Sequence, residues 1–255
     1  MDIIQVITKE LNVEKWQVEA AVKLIDEGCT IPFISRYRKE ATGSLNDEQL
    51  RTLHERLTYL RNLEEKKNQV LGSIEEQGKL TAELKKQILD AQTLVVVEDL
   101  YRPFRPKRRT RAIIAKEKGL EPLANIIMLQ MTDKPIEEEA QDFVSEDKGV
   151  ESVADAINGA KDIIAEHISD EADYRIYLRK LTMDRGSVAS TAKKPEESSV
   201  YEMYYEFEEP IKKLAGHRVL ALNRGEKEKI LTVKVNAPEE EAMGWLQKQV
   251  IKIGR

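Results

Sequence analysis

Residues 46–78 read NDEQLRTLHERLTYLRNLEEKKNQVLGSIEEQG, and their spacing decides the fold. Leu50, Leu53, Leu57, Leu60 and Leu63 recur at intervals of three and four, and Val70, Leu71 and Ile74 continue the stripe. Those intervals stack side chains along one face of an α-helix. Asn46 with Gln49 three residues on has the form of a capping box, and Gly78 supplies the stop. The prediction is a single long helix, about four heptads, with one apolar face. Packing of that face in an antiparallel helical arrangement fits better than a free coiled coil.

Upstream, Ile3, Ile4, Ile7 and Leu11 mark a first amphipathic helix. Asn12 can cap a second, which carries Trp16, Ala20, Leu24 and Ile25 and ends at Gly28. Two short helices and a tight turn have a helix-turn-helix outline, but no basic residues mark a recognition helix, so an ordinary helical hairpin accounts for them. Downstream, Thr81 caps a helix through Ala91, and VVVEDLY follows. More helices are expected over Leu120–Gln130, Pro135–Val144, Val150–Ile168 and Asp170–Asp184. The second of these begins among Glu137–Glu139, where carboxylates complement the helix N-terminus. Gly186–Ser199 is rich in Ser, Lys and Pro and reads as a loop or linker. Arg218–Asn223 and Lys229–Asn236 flank Arg224-Gly225 in a β-hairpin pattern, before a last helix over Glu239–Ile251.

The fold class expected is mostly α: a multihelical N-terminal domain with a long helix, plus a small β-hairpin-containing α+β segment near the C-terminus. The corresponding boundaries are 1–185, a linker over 186–200, and 201–255. No internal repeat of supersecondary size is present.

With 255 residues, 41% hydrophobic and 34% charged, the chain reads as soluble and globular. No apolar run approaches the ~20 residues that span a bilayer. MDIIQVITKEL is no secretory signal, and the lone Cys29 fits a reducing cytosol, so a cytoplasmic location is expected. Net charge is −5, yet Tyr101–Lys118 holds eight basic residues against one acid, which leaves −12 for the rest. A concentrated positive segment in an acidic body is a local site, and concentration is what recognition of phosphates needs.

Catalytic signatures are missing. His54, His167 and His217 form no metal-ligand spacing with Cys29 or with each other. Gly43 in ATGSL has no partner glycine and no following Gly-Lys-Ser/Thr, and there is neither a nucleophile elbow nor HExxH. No cofactor, no metal and no enzymatic activity are expected of this chain.

Two basic segments remain as candidate nucleic-acid-binding sites. PFISRYRKEATGSL places Arg36, Arg38 and Lys39 around Tyr37; Arg forks suit phosphate oxygens and Tyr can stack, while the same cations could bind acids of neighbouring helices. EDLYRPFRPKRRTRA (98–112) holds Arg102, Arg105, Lys107, Arg108, Arg109 and Arg111. Pro103 and Pro106 disfavour helix, which implies an extended arm, and Tyr101 and Phe104 can anchor it or face bases. Burying six cations is prohibitive, so most are solvated or paired. Three readings stand: contact with a nucleic-acid backbone, an intrachain salt-bridge clamp using acids such as Glu98 and Asp99, or an acidic protein partner. None of them implies base specificity.

In order along the chain, IPFISRYRKEATGSL, SIEEQGKLT, EDLYRPFRPKRRTRAIIAKEKGLEPLA, GAKDIIAE and HRVLALNRGEKE resemble the bacterial Tex proteins. The likeness runs from near residue 1 to the end of the chain. The resemblance implies a transcription-accessory protein that binds RNA or DNA with little sequence preference. Members continue into an RNase-H-like domain, helix-hairpin-helix elements and an OB-fold RNA-binding domain, so the chain is expected to be an N-terminal fragment. It further implies that the transcription machinery and the other Tex domains are partners, and that no active-site residue falls in this chain. The alternative is an architectural and protein-interaction scaffold, with nucleic-acid binding in the OB-fold domain.

Overall fold

The computed structural model describes residues 2–252, which divide into two compact units, Met1–Phe104 and Arg105–Arg255. The first unit is organised by α4, Asp47–Glu76, the long helix that the leucine spacing predicts. Asn46 and Gln49 close the expected capping box: the Asn46 side chain accepts from the Gln49 amide at 2.8 Å, and the Gln49 side chain accepts from the Asn46 amide at 3.0 Å. Leu50, Leu53, Leu57, Leu60, Leu63, Val70 and Ile74 are all buried. They pack against α1 (Ile3–Leu11), α2 (Lys15–Asp26), α3 (Ile31–Tyr37), α5 (Ala82–Asp90) and α6 (Leu94–Tyr101). The stripe is therefore satisfied within the chain. Thr81 caps α5 as expected, accepting from the Leu84 amide at 3.2 Å.

Two details of this unit differ from the sequence reading. Asn12 does not cap α2. It takes a left-handed conformation (φ 51°) that ends α1, and Glu14 with Gln17 forms the capping box of α2. Lys67 also falls on the apolar face of α4, four residues after Leu63 and three before Val70. It is 1% exposed, and its Nζ donates to the Leu89 carbonyl at 2.7 Å. Leu89 lies in the last turn of α5, where carbonyls lack intrahelical partners, so the buried ammonium completes that helix end.

The second unit contains α7 (Arg111–Glu117), α8 (Glu121–Leu129), α9 (Ile136–Gln141), α10 (Val153–Asp170) and α11 (Ala172–Arg185). Next come β1 (Ser187–Ala192), β2 (Glu206–Pro210), α12 (Gly216–Lys227), β3 (Leu231–Asn236) and α13 (Glu239–Val250). Its helical core is rich in small residues, packed beside Leu120, Leu123, Val150 and Ile163. Ala112, Ala115, Ala124, Ala140, Ala156 and Ala160 are all buried around α10. A Cβ placed on Gly159 would lie 2.3 Å from Leu120 Cδ1, so any larger residue there must displace the buried Leu120 side chain.

The small β segment is present near the C-terminus, and the second expected arm is a strand, β3, but the first is not and the strands that pair with β3 come from elsewhere. Arg218–Asn223 belongs to α12, whose buried Leu222 and Gly225 are three residues apart, a helical interval. The chain turns at Lys229 (φ 61°) rather than at Arg224-Gly225. Ser187–Ala192, expected to lie in a linker, is the central strand of an antiparallel sheet ordered β2-β1-β3. Val188 faces Glu209 on one side and Val235 on the other. By compactness the chain divides between residues 104 and 105, whereas the expected divisions fell at 185 and 200.

Candidate nucleic-acid interface

In the first unit, the α3–α4 connection presents one group of predicted cations. Pro32 starts α3, and Arg38 ends it by leaving helical geometry (φ −130°). The connection folds back on itself. Thr42 is fully buried, and its Oγ1 donates to the Arg38 carbonyl at 3.2 Å and to the Lys39 carbonyl at 3.4 Å. Gly43 and Ser44 both take left-handed backbone (φ 61° and 64°). Gln17 Nε2 donates to the carbonyls of Thr42 at 3.2 Å and Gly43 at 2.9 Å, which ties the connection to α2.

Arg36, Tyr37, Arg38 and Lys39 are all exposed on this frame. Arg38 lies over the Phe33 ring at 5.4 Å, a cation–π contact. The Arg36 and Lys39 side chains make no hydrogen bond or ion pair among the described residues. The alternative of ion pairing to neighbouring helices is thus not how these two side chains are used.

The long basic run begins in the first unit. Tyr101 Oη lies 3.0 Å from Ser73 Oγ on α4, and Lys66 Nζ lies 5.9 Å from its ring centroid and 2.7 Å from Glu98. Gln77 Nε2 donates to the Phe104 carbonyl at 3.0 Å. Tyr101 and Phe104 also pack against the leucine core, so they anchor the run. α6 ends at Tyr101, two residues before Pro103, as the loss of the proline N–H requires. Arg102 is exposed at the helix end and is held by contacts within the protein.

The rest of the run, Arg105 to Arg111, opens the second unit and is not uniform. Residues 106–110 have no regular secondary structure; Thr110 then caps α7, accepting from the Ile113 amide at 3.1 Å. Sequence reading missed this helix because the cations of its first turn were grouped with the arm. Lys107 is the structural cation. Its ammonium pairs with Asp170 and, at 3.5 Å, with Glu166, both on α10, and its side chain is only 23% exposed. Arg109 pairs with Glu117 at 2.8 Å, and Arg111 with Asp162 at 3.6 Å, while keeping 69% and 85% exposure. Exposed pairs of this kind contribute only about 0–1 kcal/mol, so they exchange partners readily. Arg105 is exposed and has contacts within the protein. Arg108 is exposed and makes no hydrogen bond or ion pair among the described residues.

A separate cavity of about 960 Å³ lies in the second unit, walled by α10, α11, β3 and α13. Its lining is mainly apolar, with Leu178, Met183, Met243 and Leu246, and its charged groups are Arg175 and Arg179. Among the described residues, no Asp, Glu, His or Cys lines it. Among the described residues, no group of three or more His, Cys, Asp or Glu side chains is placed to hold a metal, and no helix is long and apolar enough to cross a membrane.

Residues 1–75 match the model of the Tex-like protein N-terminal domain, and residues 131–253 match the Tex central region-like model. The chain belongs to the Tex family. It is 48% identical over 251 residues to the uncharacterized protein YdcI of Bacillus subtilis, covering 97% of this chain and 35% of that protein. The Transcriptional accessory protein Tex of Neisseria gonorrhoeae is 41% identical over 235 residues, 91% of this chain and 31% of that protein. The human S1 RNA-binding domain-containing protein 1 is 32% identical over 245 residues, 92% of this chain and 24% of that protein. The chain therefore spans about a third or less of the length of these Tex-family relatives. The gap between the two family matches, residues 76–130, contains the whole basic run.

Proposed function

We propose that this part of the Tex-family protein is a non-catalytic module that contacts the sugar–phosphate backbone of RNA or DNA with little sequence preference, in the cytoplasm. One observation carries the reading: Arg108 is exposed and unpaired between Arg105, Arg109 and Arg111, all exposed, in a protein of net charge −5. Arg109 pairs with exposed Glu117 and Arg111 with half-buried Asp162, and both guanidinium groups stay largely in solvent, where a phosphate replaces such a partner at little cost. Lys107 does not take part; it fixes the segment to α10. The relatives named for transcription and for S1 RNA binding support the same class of ligand.

The test is a salt titration of oligonucleotide binding by the chain beside its longer relative. Binding should fall steeply with salt. Changing Arg105, Arg108 and Arg109 together to Ala should weaken it and lower the log–log salt slope by about 2–3, close to one for each phosphate no longer neutralised. Absence of binding at low salt overturns the proposal for this chain.

A second reading rests on Lys107. Its pairing with Glu166 and Asp170 makes part of the run an intrachain clamp, so the module is also architectural. Partners in transcription and the other Tex domains would dock on such a scaffold. That reading predicts lower stability with unchanged binding when Lys107 is replaced by Ala.

A further inference from the structure

Aromatic side chains are normally kept from water, because burying one is worth roughly 1.5–3 kcal/mol. The chain has 2 Trp, 8 Tyr and 4 Phe. Among the described residues only Trp16, Phe33, Tyr37 and Tyr177 are strongly exposed, at 52%, 37%, 67% and 38%. The Tyr177 ring is covered on one face by Trp245, stacked at 3.8 Å. The other three lie in the first unit, on α2 and α3. Phe33 and Tyr37 are one helical turn apart, with ring centroids 5.4 Å from each other. Trp16 lies against Gly43, where an added Cβ would meet its ring at 2.5 Å.

Among the described residues, the Arg36 and Lys39 side chains on the same surface have no ion-pair partner, and Arg38 donates only to the Tyr37 carbonyl, at 3.5 Å. Arg36 and Lys39 bracket Tyr37 in the sequence, and Arg38 sits over Phe33. The frame beneath them is fixed by buried Thr42 and by the Gln17 hydrogen bonds, so little conformational freedom is lost when a ligand is bound. An exposed aromatic face flanked by unpaired cations on a rigid support matches the chemistry of an unpaired nucleotide, which offers a π-face and a phosphate together. A duplex keeps its base faces stacked inside and gives Tyr37 nothing to stack on. We propose that the α3–α4 connection, with Tyr37 as its platform, is a stacking site for unpaired nucleobases, so that single-stranded nucleic acid is the preferred ligand. This rests on the nucleic-acid reading above and adds strandedness to it. The platform reads a base face and not a 2′-hydroxyl, so single-stranded RNA and DNA share the required chemistry.

The experiment measures fluorescence anisotropy of the full chain with labelled oligo-U, oligo-dT and a duplex DNA of equal length. Proteins compared are the unaltered chain, Tyr37→Ala, Tyr37→Phe, and Arg108→Ala with Arg109→Ala. Tyr37→Ala should weaken binding of both single strands about ten-fold and of the duplex less than about two-fold. Tyr37→Phe keeps the ring and should stay within about two-fold of the unaltered chain on every ligand. The double arginine variant should weaken all three. Tyr37 is exposed, so an unchanged urea midpoint shows that each variant remains folded.

If Tyr37→Ala leaves single-strand binding intact, or weakens strand and duplex equally, the stacking site is overturned while the arginine result still supports the backbone reading. A loss on only one of oligo-U and oligo-dT overturns the sugar-independence of the platform and assigns the site to that nucleic acid. If no ligand binds the unaltered chain, both proposals fall together.

Discussion

The two units bury their helices in opposite ways. The first surrounds α4 with large aliphatic side chains, whose burial removes much apolar area per residue from water. The second brings α7, α8, α9 and α10 together with six buried alanines and Gly159 set among fewer large side chains, Leu120, Leu123, Val150 and Ile163, so it relies more on close backbone approach and small-residue packing. The difference sets how each unit fails. A core of leucines is sensitive to losing atoms, and a core of alanines is sensitive to gaining them.

Substitutions can break that comparison, and each unit has one tryptophan, Trp16 or Trp245, to report its own unfolding. The largest effect should come from Leu53→Ala, since Leu53 is fully buried in the stripe. A loss of about 3–4 kcal/mol is expected, visible as a lower urea midpoint in the Trp16 signal. Gly159→Val is the converse test. It forces a branched side chain into the place of Leu120 Cδ1 and should cost about 2–3 kcal/mol in the Trp245 signal. Equal sensitivity of both cores to both kinds of change would show the contrast to be superficial.

Smaller effects sharpen the picture of the basic run. Lys107→Ala removes a partly buried ammonium from Asp170 and Glu166 and should lower stability by about 1–2 kcal/mol, between the values for exposed and buried pairs. Arg108→Ala removes an unpaired surface cation and should stay within about 0.5 kcal/mol. Reversal of that order would move the clamp from Lys107 to Arg108.

The smallest expected effect lies between α2 and α4. The Arg61 guanidinium, hydrogen-bonded to Asp26 at 2.7 and 2.8 Å, holds the Asp26 carboxyl below its ordinary value of 3.8. A lowered folded value means that the pair stabilises above the unfolded value and is lost as pH falls through the folded one. Arg61→Ala should therefore cost under about 1 kcal/mol at pH 7, and the difference should vanish as pH falls through the lowered value at which folded Asp26 is protonated.

The same contrast governs what could be read from the sequence. Leu50 to Ile74 announces a helix because large apolar residues repeat at helical spacing. Lys67 was not read, although it occupies the stripe between Leu63 and Val70, where a polar residue has to find a buried partner. Its acceptor, the Leu89 carbonyl, was not legible, since only the packing of α5 brings it there. β1 was hidden because SVASTA is small and polar. Its central place depends on pairing both edges and on Ser190, buried with its Oγ donating to the Tyr204 carbonyl at 2.7 Å. RVLALN was misread because its four-residue apolar run, VLAL, fits either period, and only the burial of Leu222 with Gly225 decides for helix.

Of the candidate site, the sequence located the cations and their anchors, Tyr101 and Phe104. It could not separate Lys107 from Arg108, neighbours of like charge, because the acids that distinguish them lie some sixty residues away on α10. Nor did it show that Tyr37 is left exposed while most of the other aromatics are not.

The buried Lys67 has a chemical consequence. An amine that reacts with acylating reagents must be deprotonated and in contact with solvent, and this one is 1% exposed and engaged with a carbonyl. Surface lysines of the same protein should be labelled at once, while Lys67 waits for the first unit to open. Its acylation rate, followed by mass spectrometry, would then time the opening of the leucine core in the intact protein, without denaturant and without any substitution.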